Sequence, residues 1–141
     1  MKIDLSVIIP TYNRENILGK TLELLCTALK DINSEIIVVN DYKEKKLNIE
    51  DLPKEVKIIN NPKQGAASAR NLGFSVSMGE FVLFLDDDMI VTDQVISQLL
   101  SFTKKNHKKI ALPNWEYPVD INCRLQHVQH KTHQEITHAQ K

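Results

Sequence analysis

Asp86, Asp87 and Asp88 stand side by side directly after five apolar residues, in the run FVLFLDDDMIVTD. Neighbouring carboxylates repel, and each loses hydration near a protein interior, so such a cluster calls for a cationic partner. Side chains alternate along an extended chain, so Asp86 and Asp88 are expected on one side and Asp87 on the other. Two carboxylates on one side suit a hard divalent cation, Mg²⁺ or Mn²⁺. Such a cation keeps waters and bridges to substrate phosphates. The plainer alternative is a solvated turn whose acids favour the start of the next helix, which Thr92 can cap.

Other polar residues stand at comparable places. In IIPTYNR, Pro10 ends an apolar run and Tyr12 follows it, where an aromatic ring can stack on a flat base. The alternative is a ring that packs locally while Asn13 caps a helix. Asp41 closes EIIVVND and can accept a hydrogen bond from a base imide N–H, or simply serve a turn. Arg70, in GAASARN, can offset the aspartates or hold a phosphate; otherwise it is an exposed helix arginine.

The elements that must position these residues follow from periodicity. Residues 3–9 read as a buried strand and residues 16–30 as a helix. On that helix Leu18, Leu22, Leu25 and Leu29 share one face, with Lys20, Glu23, Thr27 and Lys30 opposite. SEIIVVND is a second strand, DYKEKKLNIEDLP a charged loop and EVKIIN a third strand. PKQGAASARNLGFSVSMGE predicts a helix whose small residues allow close approach, with Gly79 at its C-terminal end. FVLFL is a fourth strand. A helix with Val95, Ile96, Leu99 and Leu100 on its apolar face follows, and KIALPNWEYP is expected as a fifth strand or extended edge. The order predicts an α/β fold with a mostly parallel sheet flanked by helices. Ligands of such sheets sit beyond the carboxyl ends of the strands, where PTYNR, NDYK, NNPKQG and DDD would meet.

Length and composition bound the partners. A chain of 141 residues, 42% hydrophobic, is long enough for one domain with a core. Eighteen basic and eighteen acidic residues cancel, which leaves no electrostatic case for nucleic acid or an anionic membrane surface. Cys26 and Cys123 match no metal spacing, and Cys26 falls on a helical pattern as a buried thiol; a reduced cytoplasmic setting is the simpler expectation. The opening MKIDLSVIIP is too short an apolar run for a signal peptide or membrane span.

Taken together, SVIIPTYNRENILGKTLELL, EIIVVND and NNPKQGAASARNLGFSVSMGEFVLFLDDDM resemble, in order and spacing, a family 2 glycosyltransferase of the GT-A fold, from about residue 5 to about residue 100. The resemblance implies inverting transfer of a sugar from a nucleotide diphosphate donor, a UDP-sugar, to an unknown glycan, lipid or protein acceptor. It implies that Pro10, Thr11 and Tyr12 line the base pocket, that Asp41 contacts uracil and that Arg70 lies near the nucleotide. It also implies an Asp-x-Asp motif in which Asp88 is the direct ligand of Mn²⁺ or Mg²⁺, assisted by Asp86, with Asp86 or Asp87 near the ribose. The implied setting is the cytoplasm, free or at the inner face of a membrane.

The chain departs from the family in two ways. Tyr42 and Lys43 stand where Gly and Ser often follow the second acid, which makes donor class safer than donor identity. Family members also continue well past the metal motif, into a part holding the acceptor site and a catalytic base. Residues 1–120 are therefore expected as an incomplete donor-binding domain and residues 121–141 as a polar tail. Glu116 lies within the expected fifth strand, and nothing marks it as that base. A non-catalytic nucleotide-sugar-binding module is the alternative, and a phosphoryl-transfer domain built on FLDDDMIVT a weaker one. His127, His130, His133 and His138 in the tail are read as a polar helix or end rather than a metal site.

Overall fold

The computed structural model describes residues 2–47, 49, 56–106 and 110–113. Among these residues four strands and three helices follow in the order β1 (Leu5–Thr11), α1 (Glu15–Ala28), β2 (Ser34–Asn40), β3 (Val56–Asn60), α2 (Ala66–Val76), β4 (Phe81–Phe84) and α3 (Asp93–Lys105). The strands form one parallel sheet in the order β3-β2-β1-β4. After β3 the chain returns past β1 to lay down β4, so the direction of winding reverses between β1 and β4.

Helices cover both faces, which explains why β1 and β2 are apolar runs rather than alternating ones. Leu5, Val7 and Ile9 of β1 pack with Ile36 and Val38 of β2 against Leu18, Leu22 and Leu25 of α1 and Ile96 of α3. The intervening residues Ile8, Ile37 and Val39 meet Ala69 of α2 on the other face. The small residues of α2 permit its close approach. A Cβ on Gly73 would collide with the Ile8 side chain. The predicted apolar and polar faces of α1 are the observed buried and exposed ones.

Several expectations are corrected. Asn13 does not cap α1: it takes a left-handed φ of 52°, Arg14 occupies the cap position, and no side chain bonds there. The left-handed residue is what reverses the chain from strand to helix, a conformation asparagine tolerates. Gly79 does not end α2, which stops at Val76. Its Cβ would lie 2.5 Å from the Ser6 amide nitrogen, so glycine is required there by close approach. Residues 110–113 of the expected fifth strand are not a strand. Pro113 lacks an N–H, and Ile110 and Leu112 are exposed, so no ladder forms around them. Residue 109 and residues 114–118 of that segment lie outside the described residues, as do Glu116, Cys123, the histidine-containing tail and the boundary at residue 120. Cys26 is half-buried against the core rather than fully enclosed.

Candidate functional site

The strands part at their carboxyl ends. Leu85 N–H donates to Ile8 C=O, so even-numbered residues of β1 turn their backbone groups toward β4. Pro10 lies on that side, past the last pair, Ile8 with Phe84, and has no N–H to extend the ladder. A cleft of about 260 Å³ opens there, lined by Pro10, Thr11, Tyr12, Arg14, Asp41, Ala66, Arg70 and the three aspartates. It brings together the eight residues expected from the sequence to bind nucleotide or metal: Pro10, Thr11, Tyr12, Asp41, Arg70, Asp86, Asp87 and Asp88. A hollow of about 320 Å³ lies beyond β2 and β3, among Asn40, Tyr42, Lys43, Lys45 and Lys46. It holds none of the aspartates, so the chemistry points to the smaller cleft.

The three aspartates have separate fates. The chain turns at this point, with Met89 N–H donating to Asp86 C=O, and does not continue as a strand. Exposure still alternates: Asp87 turns inward, while Asp86 and Asp88 face out. Arg70 donates to Asp86 over 2.7 Å. Asp87, 5% exposed, accepts from the Thr11 hydroxyl at 2.8 Å and from Arg14 Nη1 at 2.8 Å. Arg14 Nη2 reaches Asp88 at 3.2 Å. The Thr21 hydroxyl, buried on the inner face of α1, donates to the backbone carbonyl of Asp87 at 2.7 Å. Asp87 thus ties the tip of β1 and the body of α1 to the acidic turn.

Asp41 is also buried, and its Oδ1 accepts from Asn61 Nδ2 at 2.6 Å. Both of its oxygens lie 3.0 Å from the Gly65 amide nitrogen at the start of α2. Asn61 also donates to Ser68 Oγ at 2.7 Å, which fixes the amide and through it the carboxylate. Gly65 has a φ of 122°, in the range that favours glycine, so its N–H can aim at Asp41. The Tyr12 ring, 48% exposed, stands edge-on to Tyr42 with centroids 5.1 Å apart and planes at 67°. The Tyr42 phenol donates to Glu44 at 2.8 Å. That hydrogen bond, with the Glu44 charge, raises the phenol pKa above its ordinary value.

Among the described residues, no group of three or more His, Cys, Asp or Glu side chains is placed to hold a metal ion. The Asp86 and Asp88 side chains are 60% and 46% exposed and border the cleft. Two open carboxylates fit a Mg²⁺ or Mn²⁺ that completes its shell with water and phosphate oxygens, rather than one enclosed by protein.

Arg14, Thr21, Asn61 and Ser68 carry no expected role in the sequence, and Tyr42 entered only as a departure from the family pattern. Thr21 carried a usable signal: it lies beside Leu18, Leu22 and Leu25 on the inner face of α1, where a hydroxyl needs a partner. Arg14 sits within the quoted PTYNR segment, but nothing local shows that it reaches residues more than seventy positions away.

A doubly wound parallel sheet with its polar cleft at the point where winding reverses is the architecture of nucleotide-binding α/β proteins. The comparisons narrow this. The model of Glycosyl transferase family 2 matches residues 6–139, and the chain belongs to that family. An uncharacterized glycosyltransferase of Haemophilus influenzae is 32% identical over 119 residues, covering 80% of this chain and 47% of the relative. A GalNAc(5)-diNAcBac-PP-undecaprenol beta-1,3-glucosyltransferase of Campylobacter jejuni is 38% identical over 105 residues, 69% of this chain and 32% of the relative. The crystal structure of S. aureus TarS 1-349 superposes with a TM-score of 0.57 at 24% identity, covering 79% of this chain and 39% of that one, so the fold is GT-A. The chain spans less than half the length of each of these proteins. Among the described residues, no helix is long and apolar enough to cross a membrane.

Proposed function

We propose that the chain binds the nucleotide diphosphate sugar donor of a glycosyltransferase, with uridine as base and a divalent cation on the diphosphate, for inverting transfer to a glycan- or lipid-linked acceptor. The observation that carries this is the cleft at the parting of β1 and β4, which unites an aromatic ring, a buried acid, an arginine and an acidic turn. Tyr12 would stack on the base, and Asp41 would accept from its imide N–H. Asp86 and Asp88 would hold Mn²⁺ or Mg²⁺, with Asp88 as the direct ligand, and Asp87 or Asp86 would approach the ribose. Arg70 would face the phosphates. When bound, the cation offsets the charge between carboxylates and diphosphate and stabilises the leaving diphosphate as a Lewis acid. The acceptor class follows from relatives such as the Campylobacter jejuni enzyme, whose name specifies an undecaprenol-linked glycan.

Calorimetric titration of UDP, UDP-sugars and other nucleoside diphosphates, with Mn²⁺ and then with EDTA, tests the reading. UDP is expected to bind with Mn²⁺ and to lose roughly tenfold or more in affinity with EDTA, as like charges then oppose one another. Asp88→Ala is expected to abolish that difference, while the affinity for uridine, which has no phosphates, stays unchanged. Wild-type affinity indifferent to EDTA would remove the metal from the proposal. Absence of UDP binding in every condition would remove the donor reading itself.

A further inference from the structure

Arg14 is at the cap position of α1, where the positive end of the helix dipole disfavours a cation. Its guanidinium nevertheless turns onto the acidic turn and spans two carboxylates, at 2.8 Å from Asp87 and 3.2 Å from Asp88. The two contacts differ in kind. The Asp87 side chain is 6% exposed and also bonded by Thr11, so that contact is anchored. The Asp88 side chain is 46% exposed, and among the described residues Arg14 is its only ion-pair partner. Arg14 itself is 45% exposed and borders the cleft.

Three aspartates paired with two arginines leave the turn one negative charge in excess. A dication added to that arrangement gives a net positive site that attracts a diphosphate. Without Arg14 the turn would carry two excess negative charges and would attract a dication by itself. The charge on Arg14 therefore decides whether metal binds alone or together with the nucleotide.

We infer that Arg14 is a positioning residue that holds the cation's place on Asp88. It neutralises Asp88 while the site is empty and gives it up when divalent cation and diphosphate arrive together, keeping its bond to Asp87 throughout. This rests on the donor-binding reading above and adds a coupling to it. Because linkage is reciprocal, UDP raises the affinity for metal by the same factor that metal raises the affinity for UDP. Arg14 makes that factor large by keeping the metal-only affinity low.

The test measures Mn²⁺ binding to the full chain, from the free-ion resonance signal, with and without saturating UDP. Arg14→Gln is expected to bind Mn²⁺ alone about tenfold more tightly than wild type, the order expected for removing one partly exposed charge a few ångströms away. UDP should then raise its Mn²⁺ affinity by a smaller factor than in wild type. Arg14→Lys, which keeps the charge, should stay within about threefold of wild type in metal-only affinity. If Arg14→Gln does not fold, the guanidinium N–H resonances of Arg14 in wild type give the answer. They should move on adding Mg²⁺ with UDP and stay in place with Mg²⁺ alone. An unchanged or weaker metal-only affinity in folded Arg14→Gln, or resonances indifferent to Mg²⁺ with UDP, overturns the role of Arg14 and leaves donor binding standing. Failure of wild type to bind UDP with Mn²⁺ overturns the donor reading, and this inference with it.

Discussion

The two ends of the sheet each bury carboxylates, and they treat them differently. At the amino end, Glu35 of β2 is 9% exposed and accepts at Oε1 from the Ser6 hydroxyl and the Met78 N–H, both at 2.6 Å. The Gly79 N–H donates in turn to Ser6 Oγ at 2.8 Å, so the segment after α2 is sewn onto β1 and β2. At the carboxyl end, Asp41 and Asp87 are equally buried but border a cleft. Each is held by fixed donors on its protein side, Asn61 and Gly65 for one, Thr11 and Arg14 for the other. One end closes on itself through short contacts between backbone and side chain. The other is held rigid and left open. A buried acid is thus a structural tie where the chain folds over it, and borders an open cleft where the strands part beside it.

Three substitutions would break or sharpen this contrast. Gly79→Ala should have the largest effect. Its Cβ would meet backbone atoms of Leu5 and Ser6 that cannot rotate away, a clash expected to cost about 3 kcal/mol of stability. Urea unfolding should show a lowered midpoint. UDP affinity of the protein that remains folded should be unaltered, and a matching loss of affinity would mean that the two ends are not independent. If Asp41 holds the base as proposed, Asp41→Asn should cost roughly 1.5–3 kcal/mol in UDP binding, because an NH₂ would replace an oxygen that accepts from Gly65 and would accept from the base. Titration with UDP and with uridine should show the same loss, since the contact is to the base; equal affinity for wild type and mutant would relegate Asp41 to a purely structural tie. Tyr42→Ala removes the ring against which Tyr12 stands and should cost about 0.5–1.5 kcal/mol in nucleotide binding. An unchanged UDP affinity would show that Tyr12 is oriented without it.

Much of the molecule was legible because it depends on short-range pattern. The apolar runs of β1 and β2, the four leucines of α1, the small residues of α2 and the Thr92 cap are properties of residues a few positions apart. The expected fifth strand went wrong within the described residues because apolar content alone does not supply a partner strand. The gathering of Tyr12, Asp41, Arg70 and the aspartates into one cleft was legible only through the rule that parallel strands bring their carboxyl ends together.

By itself, then, the sequence determined which segments become strands and helices, which faces they bury, and that polar groups collect at one edge. Tertiary structure alone decided how those groups pair. Thr11 and Arg14 reach Asp87 across 76 and 73 residues of chain, and Asn61 reaches Asp41 across 20. No local periodicity encodes such contacts. They exist because the sheet order β3-β2-β1-β4 sets the end of β1 beside that of β4 and the end of β2 beside that of β3, which places distant side chains within hydrogen-bonding distance of one another.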